Sequence, residues 1–140
     1  MRILLTINLP AKLENLQRWM NAVSECARKQ GYDQKRISKI ELALEEALVN
    51  ICKYSYPEEP GNAEVSCKQD NCRFIIEIVD SGIPFDMTSL PAPDITSSVE
   101  QRKIGGLGIF LIKKTVDEVE YRREGSFNIL NLTINRDDDT

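Results

Sequence analysis

The spacing of hydrophobic residues along the chain predicts a strand followed by two helices. A strand is indicated where apolar and polar residues alternate, at Ile3, Leu5, Ile7 and Leu9, and it ends at Pro10. The next apolar series has helical spacing and stops at Gly31 (Leu13, Leu16, Met20, Val23 and Ala27). A second helical series runs from Ile37 to Ile51, with Asp33 as its expected N-cap and an end before Pro57.

The second half of the chain predicts two pairs of strands separated by a polar segment and one helix. Alternation indicates strands over residues 63–68 and 72–80, and again around residues 119–121 and 130–134. The segment from Met87 to Lys103 has no clear period, and a loop of that length in a compact domain is expected to act as a lid or binding loop. We therefore expect an α+β fold: a two-layer α/β sandwich with a mixed, mostly antiparallel sheet and its helices on one face.

The composition is typical of one soluble domain. The chain has 140 residues, of which 41% are hydrophobic and 29% are charged. We expect a single domain over residues 1–136 and a charged, disordered tail over residues 137–140. The net charge of −4 and the pI near 5.0 argue against nucleic-acid binding through phosphate neutralisation. No apolar run approaches the roughly 20 residues that span a bilayer, so we expect no membrane association and a cytoplasmic location.

The four cysteines and the absence of histidine limit the kinds of metal site and catalytic group that the chain can form. Neither CxxC pairs nor histidines are present to form a zinc site, and histidine-based catalysis within the chain is excluded. In the predicted hairpin, Cys67 and Cys72 share the apolar face and face each other, and we expect them to be reduced thiols rather than a disulfide. Any proton transfer therefore falls to carboxylates, lysine or tyrosine.

The long second helix carries polar residues in apolar surroundings. Glu46, Asn50 and Lys53 follow one another at i, i+4 and i+7, so they share one side of the helix. The residues that flank them are apolar: Leu42, Ala43, Ala47 and Val49. Two interpretations are open from this stretch alone. One is the wall of a cavity, and the other is a surface ion pair between Glu46 and Lys53 on an ordinary amphipathic helix.

Two further features each have a functional and a structural interpretation. Asp80 falls on the core-facing row of its strand, where an unpaired carboxylate is costly, although Asp also commonly opens a turn. The run Gly105-Gly106-Leu107-Gly108 leads directly into an apolar helix and presents free backbone N–H groups that suit phosphate, although glycines also simply start helices. A helix face, a strand end and a glycine cluster after a lid together fit a pocket for one ligand.

At these three places the sequence resembles the GHKL ATPase superfamily, which includes gyrase, histidine kinases and MutL. Residues 46–50 (Glu-Ala-Leu-Val-Asn) match its N box, residues 80–86 (Asp-Ser-Gly-Ile-Pro-Phe-Asp) look like its G1 box, and residues 105–112 resemble its G2 box. The Pro84-Phe85-Asp86 ending is similar to the branch of bacterial anti-sigma factor serine kinases of the RsbW and SpoIIAB type. The three boxes occur in the order of the family, and the resemblance covers essentially the whole chain.

The resemblance implies ATP and Mg²⁺ as ligands. Asn50 would bind the metal ion and Glu46 would act as the catalytic base. Asp80 would accept a hydrogen bond from the adenine amino group, and Gly82 would let the backbone approach the base. The remaining nucleotide contacts implied by the matched boxes are Lys53, Pro84, Phe85, Gly105, Gly106, Leu107 and Gly108. Many anti-sigma kinases have histidine around the position of Tyr54, so this chain departs from the pattern close to the expected phosphate contacts.

The function that the resemblance implies is that of an anti-sigma regulatory serine/threonine kinase. Such a protein transfers the γ-phosphate of ATP to an anti-sigma antagonist with a STAS fold, sequesters a sigma factor and forms a homodimer, without direct contact to nucleic acid. Two alternatives stay open. One is a nucleotide-gated binding module without efficient kinase activity, and the other is a stand-alone histidine-kinase-like ATPase domain.

Overall fold

The computed structural model of the chain describes residues 1–89 and 106–135, with side chains in the last helix from Ile109 onward. The elements follow the predicted order of strand, two helices, two strands, helix and two strands. Their bounds are β1 Arg2–Pro10, α1 Leu16–Lys29, α2 Gln34–Tyr54, β2 Asn62–Gln69, β3 Arg73–Asp80, α3 Gly106–Thr115, β4 Glu118–Glu124 and β5 Phe127–Asn135. Short 3-10 turns at Leu13–Asn15 and Met87–Ser89 complete the described part.

The five strands form one sheet in the order β1-β2-β3-β5-β4, and all four pairings are antiparallel. The expectation of a partly parallel sheet is therefore corrected. The crossover through α3 makes β3 and β4 run in the same direction, but β5 lies between them and is antiparallel to both. Asp80 pairs with Ala63 on one side and with Asn128 on the other, so the end of β3 lies between two strands.

The helices cover one face of the sheet, as predicted. Alternate residues of the three central strands point into one core with the helices: Ala63, Val65, Cys67, Phe74, Ile76, Ile78, Leu130, Leu132 and Ile134. The helix α2 contributes to this core a row of apolar residues that are each at most 2% exposed: Ile37, Ile40, Leu44, Leu48 and Ile51. Neighbouring strand positions face the other way, and there Lys68 and Glu77 form an ion pair of 3.0 Å. Burial of the core residues is the main contribution to stability.

The two long helices begin and end where the sequence predicts. Gly31 adopts φ 96° after α1, and the N–H of Tyr32 donates to the carbonyl of Ala27, which closes the helix end. Two residues later, Asp33 caps α2, because its Oδ1 accepts a hydrogen bond of 2.9 Å from the N–H of Arg36. The short connection turns α2 back against α1, where Ser24 donates to Glu41 over 2.6 Å.

The expectation that Cys67 and Cys72 face each other across the hairpin is wrong, whereas the expectation that they are not joined in a disulfide is confirmed. Cys67 lies opposite Ile76 in the register of β2 and β3, whereas Cys72 is exposed in the turn between the strands. Asp70 organises that turn by accepting hydrogen bonds from the backbone N–H groups of Cys72 and Arg73, so β3 begins at Arg73, one residue later than predicted. All four cysteines are free thiols.

Within the described residues, no helix has the length and apolar character needed to cross a membrane.

Candidate functional site

Asn50 faces inward from α2 and is only 2% exposed. Its Nδ2 donates a hydrogen bond of 2.9 Å to the carbonyl of Glu46, one turn earlier. This bond fixes the amide and leaves Oδ1, which accepts no hydrogen bond from the residues that the structure describes. A neutral amide oxygen held in one orientation is an acceptor of the kind that Mg²⁺ takes when phosphates and water supply its other ligands.

Glu46 is partly buried beside Asn50, and the pKa of its carboxyl is raised, first by that burial and then by the charge of Glu45. The charge of Lys53 acts in the opposite direction and lowers the pKa. Lys53 is exposed, and no ion pair joins it to Glu46 in the part of the chain that the structure describes. The arrangement therefore differs from the surface ion pair considered above. A carboxylate with a raised pKa is a better proton acceptor than an ordinary glutamate.

Asp80 is buried at the end of β3, with 4% of its surface exposed. Its Oδ1 accepts two hydrogen bonds of 2.9 Å, one from the N–H of Gly82 and one from Nδ2 of Asn128. Oδ2 accepts none from the described residues. Oδ1 thus has its hydrogen-bond partners within the protein, whereas Oδ2 can accept a hydrogen bond from a donor outside it. A carboxylate at a buried position requires such partners, because burial removes its hydrogen bonds to water.

Asn128 of β5 holds both Asp80 and the turn that follows it. Nδ2 donates to Asp80 and, over 2.8 Å, to the carbonyl of Ile83. Oδ1 accepts hydrogen bonds from the hydroxyl of Tyr121 at 2.5 Å, from Arg123 at 3.2 Å and from the N–H of Phe85 at 3.3 Å. Because both the oxygen and the nitrogen of the Asn128 amide form hydrogen bonds, the amide itself is fixed. Its bond to Asp80 therefore holds the Asp80 carboxylate in one orientation.

The same turn is tied to the end of α2. The N–H of Ile83 donates to the carbonyl of Ser55 over 2.9 Å, and Arg123 donates to the carbonyl of Gly82 over 2.8 Å. A Cβ on Gly82 would lie 2.1 Å from the Ser55 carbonyl oxygen, so only glycine fits between the two backbones. The close approach seen at Gly82 is to Ser55 of the protein itself, and its approach to a nucleotide base stays a prediction.

Two aromatic rings stand where α2 meets the turn. Tyr54, the last residue of α2, and Phe85 lie with ring centroids 5.6 Å apart and planes inclined at 46°. Both side chains are half-buried, and Pro84 beside them is exposed. A cavity of about 580 Å³ adjoins this corner and is lined by the turn, by the loop after α2 and by Arg123. Gly82 and Pro84 line that cavity, but Glu46, Asn50 and Asp80 do not.

The glycine cluster begins the third helix. Gly106, Leu107 and Gly108 form the first turn of α3, and Gly105 lies outside the described residues, as do residues 90–103 of the predicted lid. The last turn of α3 and the first turns of α2 line a common cavity, so α3 packs against α2 with the Gly106–Gly108 turn at the end away from that cavity. The N–H groups of that first turn have no partner within the helix and are suited to phosphate oxygens.

Sequence reasoning missed Asn128 and Arg123. Neither belongs to one of the three boxes, and both lie on the last two strands, whose register with β3 cannot be read from local spacing. The available signal was the core-facing alternation of Leu130, Leu132 and Ile134. Counted back by two residues, it places Asn128 as a polar residue on the buried row, as it does for Asp80.

The donor set fits a nucleotide carried with one metal ion. Oδ2 of Asp80 can accept a hydrogen bond from an amino group, Oδ1 of Asn50 can bind a hard cation, and the start of α3 suits phosphates. Among the described residues there is no cluster of three or more carboxylate, cysteine or histidine side chains that would hold a metal ion alone. Mg²⁺ at Asn50 would thus be shared with phosphates and water.

Comparison with known proteins agrees with this chemistry. A family model described as the histidine kinase-like ATPase domain matches residues 9–134. The chain is 29% identical over 137 residues to Serine-protein kinase RsbW of Listeria monocytogenes, which covers 94% of this chain and 87% of the relative. It is 27% identical over 128 residues to Serine-protein kinase RsbW of Bacillus cereus, covering 89% of this chain and 80% of the relative.

Two solved structures share the fold. The histidine kinase domain of the Erythrobacter litoralis EL346 blue-light activated histidine kinase aligns with a TM-score of 0.53 at 14% identity over 85% of this chain, which spans 60% of that chain. The Acinetobacter baumannii histidine kinase AdeS aligns with a TM-score of 0.51 at 15% identity, covering 96% of this chain and 70% of that one. The resemblance to GHKL ATPases and to the RsbW type is confirmed, and the chain belongs to the family of histidine kinase-like ATPase domains.

Proposed function

We propose that the chain is an ATP-dependent serine/threonine kinase that phosphorylates a STAS-type anti-sigma antagonist and sequesters a sigma factor. The observation that carries the proposal is the state of Asp80. Asp80 is a buried residue whose Oδ1 accepts hydrogen bonds from Gly82 and Asn128, whereas its Oδ2 accepts none from the described residues. The adenine amino group is a donor that meets this requirement, whereas the oxo group at the same position of guanine would face the carboxylate as a second acceptor.

Glu46 and Asn50 supply the chemistry of phosphoryl transfer in this proposal. Glu46 accepts the proton of the attacking hydroxyl, whose oxygen bonds to the γ-phosphorus while the bond to the leaving oxygen of ADP breaks. The raised pKa of Glu46 suits this role, and the fixed Oδ1 of Asn50 positions the metal ion. A bound Mg²⁺ would neutralise charge on the phosphates during the transfer.

The choice of a serine or threonine acceptor rests on the relatives, which are named Serine-protein kinase RsbW and align over nearly the whole chain. The solved structures that share the fold belong to histidine kinases. This chain contains no histidine, so it has no phospho-accepting histidine of its own. A hydroxyl on another protein is therefore the acceptor that we propose.

The test is a transfer assay with γ-labelled ATP, Mg²⁺ and the STAS protein encoded nearest to the gene. We expect acid-stable label on a serine or threonine of that protein, and loss of the label with Glu46→Gln while ATP binding is kept. The matched control is Glu14→Gln, since Glu14 is an exposed glutamate in the turn before α1 and does not act on the pKa of Glu46. ATP binding without transfer would favour the nucleotide-gated binding module. Acid-labile label on a histidine of another protein would favour a histidine-kinase-like domain.

A further inference from the structure

A second cavity lies at the other end of α2 from the nucleotide site. It has a volume of about 460 Å³ and opens between the first two turns of α2 and the end of α3. Four basic side chains line it, together with two aspartates: Lys35, Arg36, Lys39, Lys114, Asp33 and Asp117. Ile40 and Ile134, which also line it, are nearly fully buried. We refer to these residues as the basic notch.

Both carboxylates of the basic notch are engaged within the protein. Asp33 accepts a hydrogen bond from the N–H of Arg36, and Asp117 accepts one of 2.7 Å from the N–H of Asn135. Arg36 also donates to the carbonyl of Asn135. Lys35 and Lys39 are exposed and form no ion pair with any residue in the described ranges. Counted over the lining residues that the structure describes, the basic notch is therefore cationic on a chain whose net charge is −4.

The placement of these lysines works against local helix stability. Beyond the cap at Asp33, the first turn of α2 contains no acidic residue, although acidic residues are the ones that stabilise the start of a helix. Lys35 and Lys39 are four residues apart on one side of the helix, a spacing at which like charges repel. Positions that break a local stability rule without compensation are expected at functional sites. Carboxylates with the spacing of these lysines would supply a compensation that the described residues do not provide.

We propose that the basic notch docks an acidic segment of a partner protein, with carboxylates spaced to meet Lys35 and Lys39. The volume of the notch, about 460 Å³, accommodates several side chains and is larger than a single phosphate group requires. The rim aspartates and the net negative charge disfavour a long polyanion such as nucleic acid. Lysine ammonium groups suit carboxylates as point charges, without the paired geometry that arginine provides. The site is separate from Asn50 and Asp80, so it can be tested independently of the proposed kinase activity.

The experiment is fluorescence anisotropy of a labelled helical peptide that carries glutamates at i and i+4 among leucines, compared with the same peptide carrying glutamines. We expect the full chain to bind only the glutamate peptide, and the Kd to rise when NaCl is raised from about 50 to about 300 mM. Lys35→Gln/Lys39→Gln is expected to weaken binding about tenfold, and Lys35→Arg/Lys39→Arg to retain it. Arg2→Gln/Lys12→Gln removes the same charge outside the notch and should leave the Kd unchanged.

ATP binding by each variant serves as the check on folding, because no residue of the notch lies in the nucleotide site. Equal binding of the two peptides, or an unchanged Kd in Lys35→Gln/Lys39→Gln, would overturn the proposal. Displacement of the peptide by millimolar inorganic phosphate would overturn it in favour of a small-anion site. Binding seen only with Asp137→Asn/Asp138→Asn/Asp139→Asn would also overturn it, since the chain's own aspartates would then be the competing ligand.

Discussion

Replacing Asn128 with alanine should damage both the stability of the fold and nucleotide binding. Asn128 is 4% exposed, and its amide makes two hydrogen bonds as donor and three as acceptor. The bond to the side chain of Asp80 contributes about 2 kcal/mol and each of the other bonds about 1 kcal/mol. Because water can replace some of the lost partners, we expect a total loss of about 3 kcal/mol in the free energy of unfolding, which corresponds to a Tm about 10 °C lower.

The matched control is Asn131→Ala on the same strand. Asn131 lies on the opposite face of the sheet, is only half-buried, and makes no side-chain hydrogen bond with the described residues. Its replacement should change the free energy of unfolding by less than about 0.5 kcal/mol. Urea denaturation followed by circular dichroism measures both variants, and calorimetric titration measures ATP binding. Equal free energies of unfolding of the two variants would refute the contribution of Asn128 to stability. An unchanged Kd for ATP in Asn128→Ala would refute the claim that Asn128 orients the side chain of Asp80 for nucleotide binding.

Three further variants test other parts of the account. Gly82→Ala should lose about 2–3 kcal/mol of unfolding free energy in urea denaturation, because its Cβ would lie 2.1 Å from the Ser55 carbonyl oxygen; a wild-type midpoint would contradict this. Glu46→Gln should abolish transfer without lowering the Tm, since a raised carboxyl pKa means that folding disfavours the charged form at neutral pH. With wild-type protein, the transfer rate should rise with pH through an apparent pKa above that of an ordinary glutamate, and a rate that is flat above pH of about 4 would exclude Glu46 as the base. Asp33→Ala should cost about 1 kcal/mol by removing the cap of α2, with no effect on the Kd for ATP, as denaturation and titration would show.

Local sequence signals were sufficient to predict the helices and strands and to identify the candidate site residues that lie on buried rows. The apolar row of α2, its cap at Asp33 and the end of α1 at Gly31 follow from spacing and turn chemistry, because these features depend on residues close together in the chain. The polar residues Asn50 and Asp80 were identified for the same reason: each sits on a buried row of its own element.

The features that the sequence did not predict depend mostly on contacts between residues far apart in the chain. The insertion of β5 between β3 and β4 makes the sheet antiparallel throughout the described strands and brings Asn128 to Asp80, 48 residues away in sequence. No periodicity within one strand specifies which strand is its neighbour. The position of Cys72 was missed because Asp70 draws it into the turn, which a count by twos along the strand does not include. The partner of Gly82 was missed because it is the backbone of Ser55 at the end of a helix.

The most direct test of the nucleotide site is calorimetric titration of the wild-type chain with ATP and with inosine triphosphate, both with Mg²⁺. Inosine carries an oxo group where adenine carries its amino group, so at that position it presents an acceptor instead of a donor to Oδ2 of Asp80. We predict that the wild-type chain binds ATP at least about tenfold more tightly than inosine triphosphate, and that Asp80→Asn removes most of this difference. Equal affinity of the wild-type chain for the two nucleotides, or no binding of ATP, would contradict the account.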